Sequence, residues 1–218
     1  MHSLAIGAYK KSLSLTQEQR EILVGLLLGD ACLETQNKGR TYRLKIEQSA
    51  RHGPYVRHLY EVFRPWVLTP PRTKECTASN GSKSLSWAFH TVSHTAFRFY
   101  AHQFYDGAKK RVPRLIHRWL TSRGLAYWFM DDGSMKSNQS KGVIFNTHGF
   151  ELGDVERLIE CLQTCFGLRA SRRSQKDGNQ IYVSGASFED FVELVNSFVQ
   201  VAMRYKVPQA RRTRLPKR

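Results

Sequence analysis

Leu23-Val24-Gly25-Leu26-Leu27-Leu28-Gly29-Asp30-Ala31 and Leu125-Ala126-Tyr127-Trp128-Phe129-Met130-Asp131-Asp132-Gly133 decide how this chain is read. Each is an apolar run that ends in a carboxylate and then a small residue. Such a run is too short to span a bilayer, which needs about 20 apolar residues. It suits a buried helix whose C-terminal end delivers one acid to a shared place. Asp30 and Asp132 are 102 positions apart in a chain of 218 residues, close to half its length, as a duplicated unit would give. Gly25 and Gly29 share one face of the first helix. Glycine costs a helix about 1 kcal/mol relative to alanine, so two on one face imply very close approach of another helix.

Working outward, Thr16 followed by Gln19 has the spacing of a capping box and opens a helix from about Gln17 to Gly29. Tyr42, Leu44 and Ile46 then alternate with Arg43, Lys45 and Glu47, a strand with one apolar and one charged face, preceded by the turn Asn37-Lys38-Gly39. Gly53-Pro54 opens a helix, Arg72–Thr77 and Leu85–Thr91 form a strand pair around a loop from Ala78 to Ser84, and residues 93–105 form a helix. The second half repeats this order. A helix over 114–131 carries the second acid. Strands follow at 135–138 and 142–147, a helix at 152–166, and a strand pair at 169–175 and 180–184 around Lys176-Asp177-Gly178-Asn179. A helix over 188–201 closes the half.

The expected fold class is α+β, built from two αββαββα halves related by a pseudo-two-fold axis. The divisions are an N-terminal arm (1–14, loose), a first half (15–105), a basic linker (106–113), a second half (114–203) and a basic tail (204–218). The two acid-tipped helices would meet at the axis.

Composition narrows the function. Thirty-four Lys and Arg against 18 Asp and Glu give a net charge of +16, which draws polyanions, nucleic acid before anionic membrane. Cys32, Cys76, Cys161 and Cys165 form no CxxC pair and show no zinc spacing, so they read as reduced thiols. Lys10 and Lys11 precede no apolar signal core, and the expected setting is an organelle matrix or a prokaryotic cytoplasm.

Both acidic stretches resemble the LAGLIDADG signature of homing endonucleases, and two copies in one chain resemble the monomeric class of that family. The second copy departs from the literal signature, with Tyr127 where the motif has glycine and Asp131 where it has a small residue. Trp66-Val67-Leu68-Thr69-Pro70-Pro71 and Tyr205-Lys206-Val207-Pro208 add to the likeness, which runs from about Ile22 to Pro208. It implies antiparallel sheets forming a DNA-binding saddle, a double-stranded DNA partner with a long asymmetric target, no membrane partner, and a monomer with internal symmetry. Some proteins of this kind act instead as intron RNA maturases, the alternative reading here. A non-catalytic DNA-binding regulator on the same scaffold is a third.

Phosphodiester hydrolysis brings a nucleophile to a phosphorus ringed by negative oxygens. Mg²⁺ (or Mn²⁺) meets that charge, and one protein carboxylate per ion can suffice when phosphate and water complete the shell. Asp30 and Asp132, one acid per helix end, are the expected catalytic and metal-binding residues. A lone carboxylate at a helix C-terminus opposes the helix dipole, a penalty that a cation in contact would reverse. Asp131 is the second choice, solvent-facing or part of the helix packing. By resemblance Lys110 and Lys206 polarise the nucleophile or hold the leaving group, with Arg111 competing with Lys110. In similar enzymes the positions of Glu47 and Asn146 touch water at the metal. Candidates for the DNA surface are Arg43, Lys45, Arg72, Lys74, Lys136, Lys141, Arg172 and Lys176. Each could read bases or only touch phosphate.

Overall fold

A computed structural model describes residues 2–77, 83–137 and 140–207. Its central contact is between α2 (Gln17–Leu28) and α6 (Ser122–Asp132). α2 starts as its sequence dictates. The Thr16 hydroxyl accepts from the Gln19 amide, and the Gln19 side chain accepts from the Thr16 amide. α6 is shorter than expected. The predicted helix breaks into α5 (Ile116–Trp119) and α6, because Leu120 turns extended and Thr121 caps a new helix by accepting from the Gly124 amide at 3.2 Å.

The seam is as close as Gly25 required. A Cβ on Gly25 would lie 2.2 Å from the Gly124 carbonyl oxygen, and one on Gly29 would lie 2.6 Å from Asp131 Cβ. The second motif lacks glycine at Tyr127, and Gly124, three residues earlier, supplies the close approach instead. The Tyr127 ring swings out of the seam, and its hydroxyl meets His58 Nε2 at 2.6 Å.

Each half carries a four-stranded antiparallel sheet. The first comprises β1 (Cys32–Glu34), β2 (Arg43–Ser49), β3 (Arg72–Thr77) and β4 (Lys83–His90), ordered β1-β2-β4-β3. The basic linker expected over 106–113 begins in a hairpin, β5 (Tyr105–Asp106) and β6 (Lys109–Lys110), turned by Gly107 at a φ of +58°. The second sheet comprises β7 (Gly133–Ser137), β8 (Ser140–Asn146), β9 (Ala170–Gln175) and β10 (Gly178–Val183), ordered β7-β8-β10-β9. The register confirms the duplication. Glu47 faces Ala88 in the first sheet as Asn146 faces Gln180 in the second.

The remaining helices, α3 (Gly53–Val62), α4 (Arg98–Phe104), α7 (Leu152–Phe166) and α8 (Phe188–Val195), accompany the sheets. One face of each sheet, with Leu44 and Ile46 in the first and Val143 and Phe145 in the second, closes the shared core. The other faces stay open, consistent with a saddle.

Two expectations change at the ends. The N-terminal arm is a helix, α1 (His2–Ser12), tied down where the Tyr9 hydroxyl donates to the Pro65 carbonyl and His94 Nε2 donates to Lys10 at 2.9 Å. The last helix is short: α8 stops at Val195, and a 3₁₀ turn over Val201–Lys206 follows. The rest of the basic tail, with Pro208, the loop core 78–82 and Asn138 lie outside the described residues. Among the described residues no helix is long and apolar enough to cross a membrane.

Candidate active site

α2 and α6 run side by side, so Asp30 and Asp132 emerge together at the base of the two open sheets. Asp131 is not solvent-facing but takes part in the helix packing, filling the space over Gly29 at the seam. Its carboxylate accepts three hydrogen bonds at the seam, from the Asp30 amide (3.2 Å), the Tyr55 hydroxyl (3.1 Å) and Gln48 Nε2 (3.2 Å). Gln48 Nε2 also donates to Asp30 at 2.8 Å. Gly29 makes this possible, since any side chain there would occupy the space of Asp131.

The acids disturb one another. Burial, with the charges of Asp30 and Asp132, pushes the Asp131 carboxyl well above the carboxylate range. Burial, then the Asp30 charge, raises Asp132 to about 7, against the pull of Lys110 and Lys206. Among the described residues no three Asp, Glu, His or Cys side chains form a metal cage. The donors are two hard carboxylates whose repulsion a divalent cation would relieve. Mg²⁺ binds through one or two carboxylates while keeping waters and taking phosphate oxygens, so this sparse donor set fits such an ion at a DNA strand.

Lys110 and Lys206 occupy matched places. Lys110 Nζ donates to the Gly29 carbonyl at 2.6 Å, at the end of α2. Lys206 Nζ donates to Met130 at 2.6 Å and Asp131 at 2.9 Å, at the end of α6. Each ammonium thus satisfies helix-end carbonyls and offsets the negative dipole end. Burial lowers both lysine pKa values despite the neighbouring acids. Arg111 points away, donating to the His102 and Gln103 carbonyls. Lys110, not Arg111, shares the cluster.

Asn146 lines a cleft of about 250 Å³ together with Asp132, Lys110, Thr147 and His148. Glu47 is engaged elsewhere on its open face, accepting from Ser86 at 2.9 Å and pairing with Lys45 at 3.2 Å and Lys74 at 3.7 Å. Strand parity sorts the basic candidates. Arg43, Lys45, Arg72 and Lys74 share the open face of the first sheet. Lys136 lies on the open face of the second, its Nζ 5.2 Å from the Tyr182 ring centre, and Lys176 sits in the exposed β9–β10 turn. Lys141 and Arg172 lie on the wrong face. Lys141 reaches Glu189 and the Phe188 ring on α8, and Arg172 pairs with the buried Ile181. Arg173, opposite Gln180, takes the open-face position. The alternation of β9 was readable in principle, but its residues Ser171-Arg172-Arg173-Ser174 carry no apolar phase to set it.

The residues missed in the sequence are Gln48, Tyr55, His52 and Gly124. Gln48 was the polar break in the buried phase Leu44, Ile46, Gln48, and that was the available signal.

Residues 20–191 match the model of the LAGLIDADG DNA endonuclease family. The chain belongs to the LAGLIDADG DNA endonuclease family. It is 33% identical to "Probable intron-encoded endonuclease 1" of Wickerhamomyces canadensis, over 94% of this chain and 91% of that one. It is 30% identical to "DNA endonuclease I-ChuI" of Chlamydomonas applanata, over 89% and 96%. Among solved structures it resembles the homing endonuclease I-WcaI bound to its DNA recognition sequence, with a TM-score of 0.88, 32% identity, and 93% and 92% of the two chains covered. LAGLIDADG architecture explains why one chain presents two acids from two related helices.

Proposed function

We propose that this chain is a homing endonuclease that makes a double-strand break at a long, asymmetric DNA site, with Mg²⁺ or Mn²⁺ as cofactor. The observation that carries the reading is the pairing of Asp30 and Asp132 at one seam beneath two open, basic sheet faces. A two-stranded ribbon fits the major groove. Each open sheet would track one half of the target, leaving the two acids at the middle of the duplex, one near each strand.

Asp30 and Asp132 would each hold a cation against a scissile phosphate. Such a cation would supply a lowered pKa for water at the site and charge stabilisation for the leaving oxygen. Lys110 and Lys206, buried beside the acids, hold protons close to the reacting centre. Their lowered pKa values make proton transfer to the leaving oxygen less costly than from an ordinary lysine. Asn146, beside Asp132, orients solvent there. On the first side Glu47 is tied to Lys45 and Lys74, and those pairs must loosen before it can act on Asp30's strand. The chain would work in the compartment that holds its own coding sequence, an organelle or a prokaryotic cell.

The test incubates the protein and Mg²⁺ with a duplex made by rejoining the sequences that flank its reading frame. One discrete double-strand cut is expected, lost in both Asp30→Asn and Asp132→Asn. Cutting that survives both substitutions rejects the reading. Help to intron splicing by a variant with both substitutions, with no cutting by the wild type, would support a maturase instead.

A further inference from the structure

The two acids are not held alike. On the first side, Gln48 Nε2 donates to Asp30 at 2.8 Å and to Asp131 at 3.2 Å. The Asp30 carboxylate at that nitrogen fixes the amide orientation, because only the NH₂ end can donate. Gln48 Oε1 therefore faces His52, whose Nδ1 lies 3.2 Å away and must carry the proton. His52 Nε2 is then the acceptor for the Tyr205 hydroxyl at 3.1 Å. Tyr55 and the Asp30 amide anchor Asp131 from behind. The chain of contacts thus runs from Tyr205, next to Lys206, through His52 and Gln48 to the Asp30 carboxylate.

The register gives the second side its counterpart. Glu47 corresponds to Asn146, so Gln48 corresponds to Thr147. The Thr147 hydroxyl donates to the Asn179 carbonyl at 2.7 Å, away from the acid. Among the described residues, no side-chain hydrogen bond reaches the Asp132 carboxylate.

We propose that Gln48, clamped by Asp131 and His52, is a positioning residue that orients the Asp30 carboxylate, and that it serves one of the two strand-cleavage centres only. The assignment rests on the endonuclease reading and adds a division of labour to it. Gln48 touches no substrate in this scheme. It acts by removing rotational freedom from the one acid that the helix end leaves exposed.

The test uses the full chain, wild type and Gln48→Met, with the rejoined-flank duplex labelled separately on each strand. Methionine keeps the side-chain length and removes the donor pair. Gln48→Met should slow scission of one strand about 10–100-fold, the usual cost of losing an outer-shell partner. The other strand should stay within about twofold, so singly nicked duplex accumulates.

A second readout needs no turnover. Calorimetric titration of Ca²⁺ into the protein–duplex complex should show one ion weakened about tenfold in Gln48→Met and the other unchanged. Equal slowing of both strands, no slowing, or equal loss of both ions overturns the proposal. So does a loss of cation-free duplex binding, read by fluorescence anisotropy, together with a lowered melting temperature. That outcome assigns Gln48 to folding. If the wild type binds duplex and Ca²⁺ but never cuts, the endonuclease reading fails, while the calcium arm still decides the role of Gln48.

Discussion

The two halves share a backbone plan and differ in where their charges are spent. On the first sheet's open face, Glu34 and Glu47 stand among the cations. Glu34 pairs with Arg43 at 2.8 Å, and Glu47 pairs with Lys45 and Lys74. On the second, Lys136 and Arg173 stand among Asn146, Gln180, Tyr182 and serines, with no carboxylate on that face among the described residues of the strands. The helix ends reverse the contrast. Asp30 has Gln48 as a donor, whereas Asp132 has burial and its neighbour's charge. Duplication preserved the strand register and the two acids, and let the surroundings of each acid diverge.

The largest test of that contrast is to remove the acids one at a time. Asp30→Asn and Asp132→Asn should each lower double-strand cutting on the order of 10⁴-fold, as loss of a group acting at the reacting centre does. If the centres are separable, each variant retains slow nicking of the opposite strand, visible on a supercoiled plasmid as open circles. Equal loss of both nicks in both variants would merge the two centres into one.

The seam gives the next largest effect. Gly25→Ala places a Cβ 2.2 Å from backbone at Gly124, which cannot step aside, so the helices must separate. The expected cost is about 3 kcal/mol, read as a fall in the urea midpoint. Gly124→Ala meets Glu21 carbonyl oxygen at 3.1 Å and a movable Leu120 methyl at 3.2 Å. There the helix gain of up to about 1 kcal/mol from alanine offsets part of the milder crowding, so the loss should be clearly smaller than at Gly25. Similar costs at both sites would contradict the one-sided contact.

Protonation separates the two ends further. The Asp132 carboxyl keeps its proton to about 7 when folded, against an ordinary 3.8. Between those values the folded chain binds more protons than the unfolded one. Stability of the cation-free protein therefore falls as pH rises from about 4 to about 7, by at most about 1.4 kcal/mol per pH unit for one such group. Asp131, raised for the same reason, adds in the same direction. Asp132→Asn should flatten the slope, and so, less fully, should Asp30→Asn, because the Asp30 charge is the second cause of the shift. Denaturation midpoints across this range check it.

Much of this was legible in the chain. The capping box at Thr16, the acid pair, the paired glycines and the strand order depend on local spacing, which a sequence carries directly. The break at Thr121 carried a signal that the continuous reading of 114–131 passed over: no proline interrupts the stretch, but Thr121-Ser122-Arg123-Gly124 breaks the apolar pattern and opens on a capping residue. The place of Asp131 was not legible, since it depends on Gly29 from the other half, a contact that only the packed seam creates. Strand phase failed where it lacked apolar residues. Lys141 and Arg172 looked like surface cations, and both lie on the side of the sheet that faces the helices.

That last error supplies the smallest test. If the open face of the second sheet meets DNA, Arg173 contacts phosphate without first breaking an ion pair, whereas Arg43 must leave Glu34. A contact that neutralises one phosphate contributes roughly −0.9 to the slope of log affinity against log salt. About eight such contacts would give a total near −7. Arg173→Ala should reduce the magnitude of that slope by about 1. Arg43→Ala should reduce it by less, because Glu34 already holds the charge that phosphate would take over. Arg172→Ala, on the helix side, should leave it unchanged. Anisotropy titrations at several salt concentrations order the three, and a slope change at Arg172 equal to that at Arg173 would show that the open face alone does not bind the duplex.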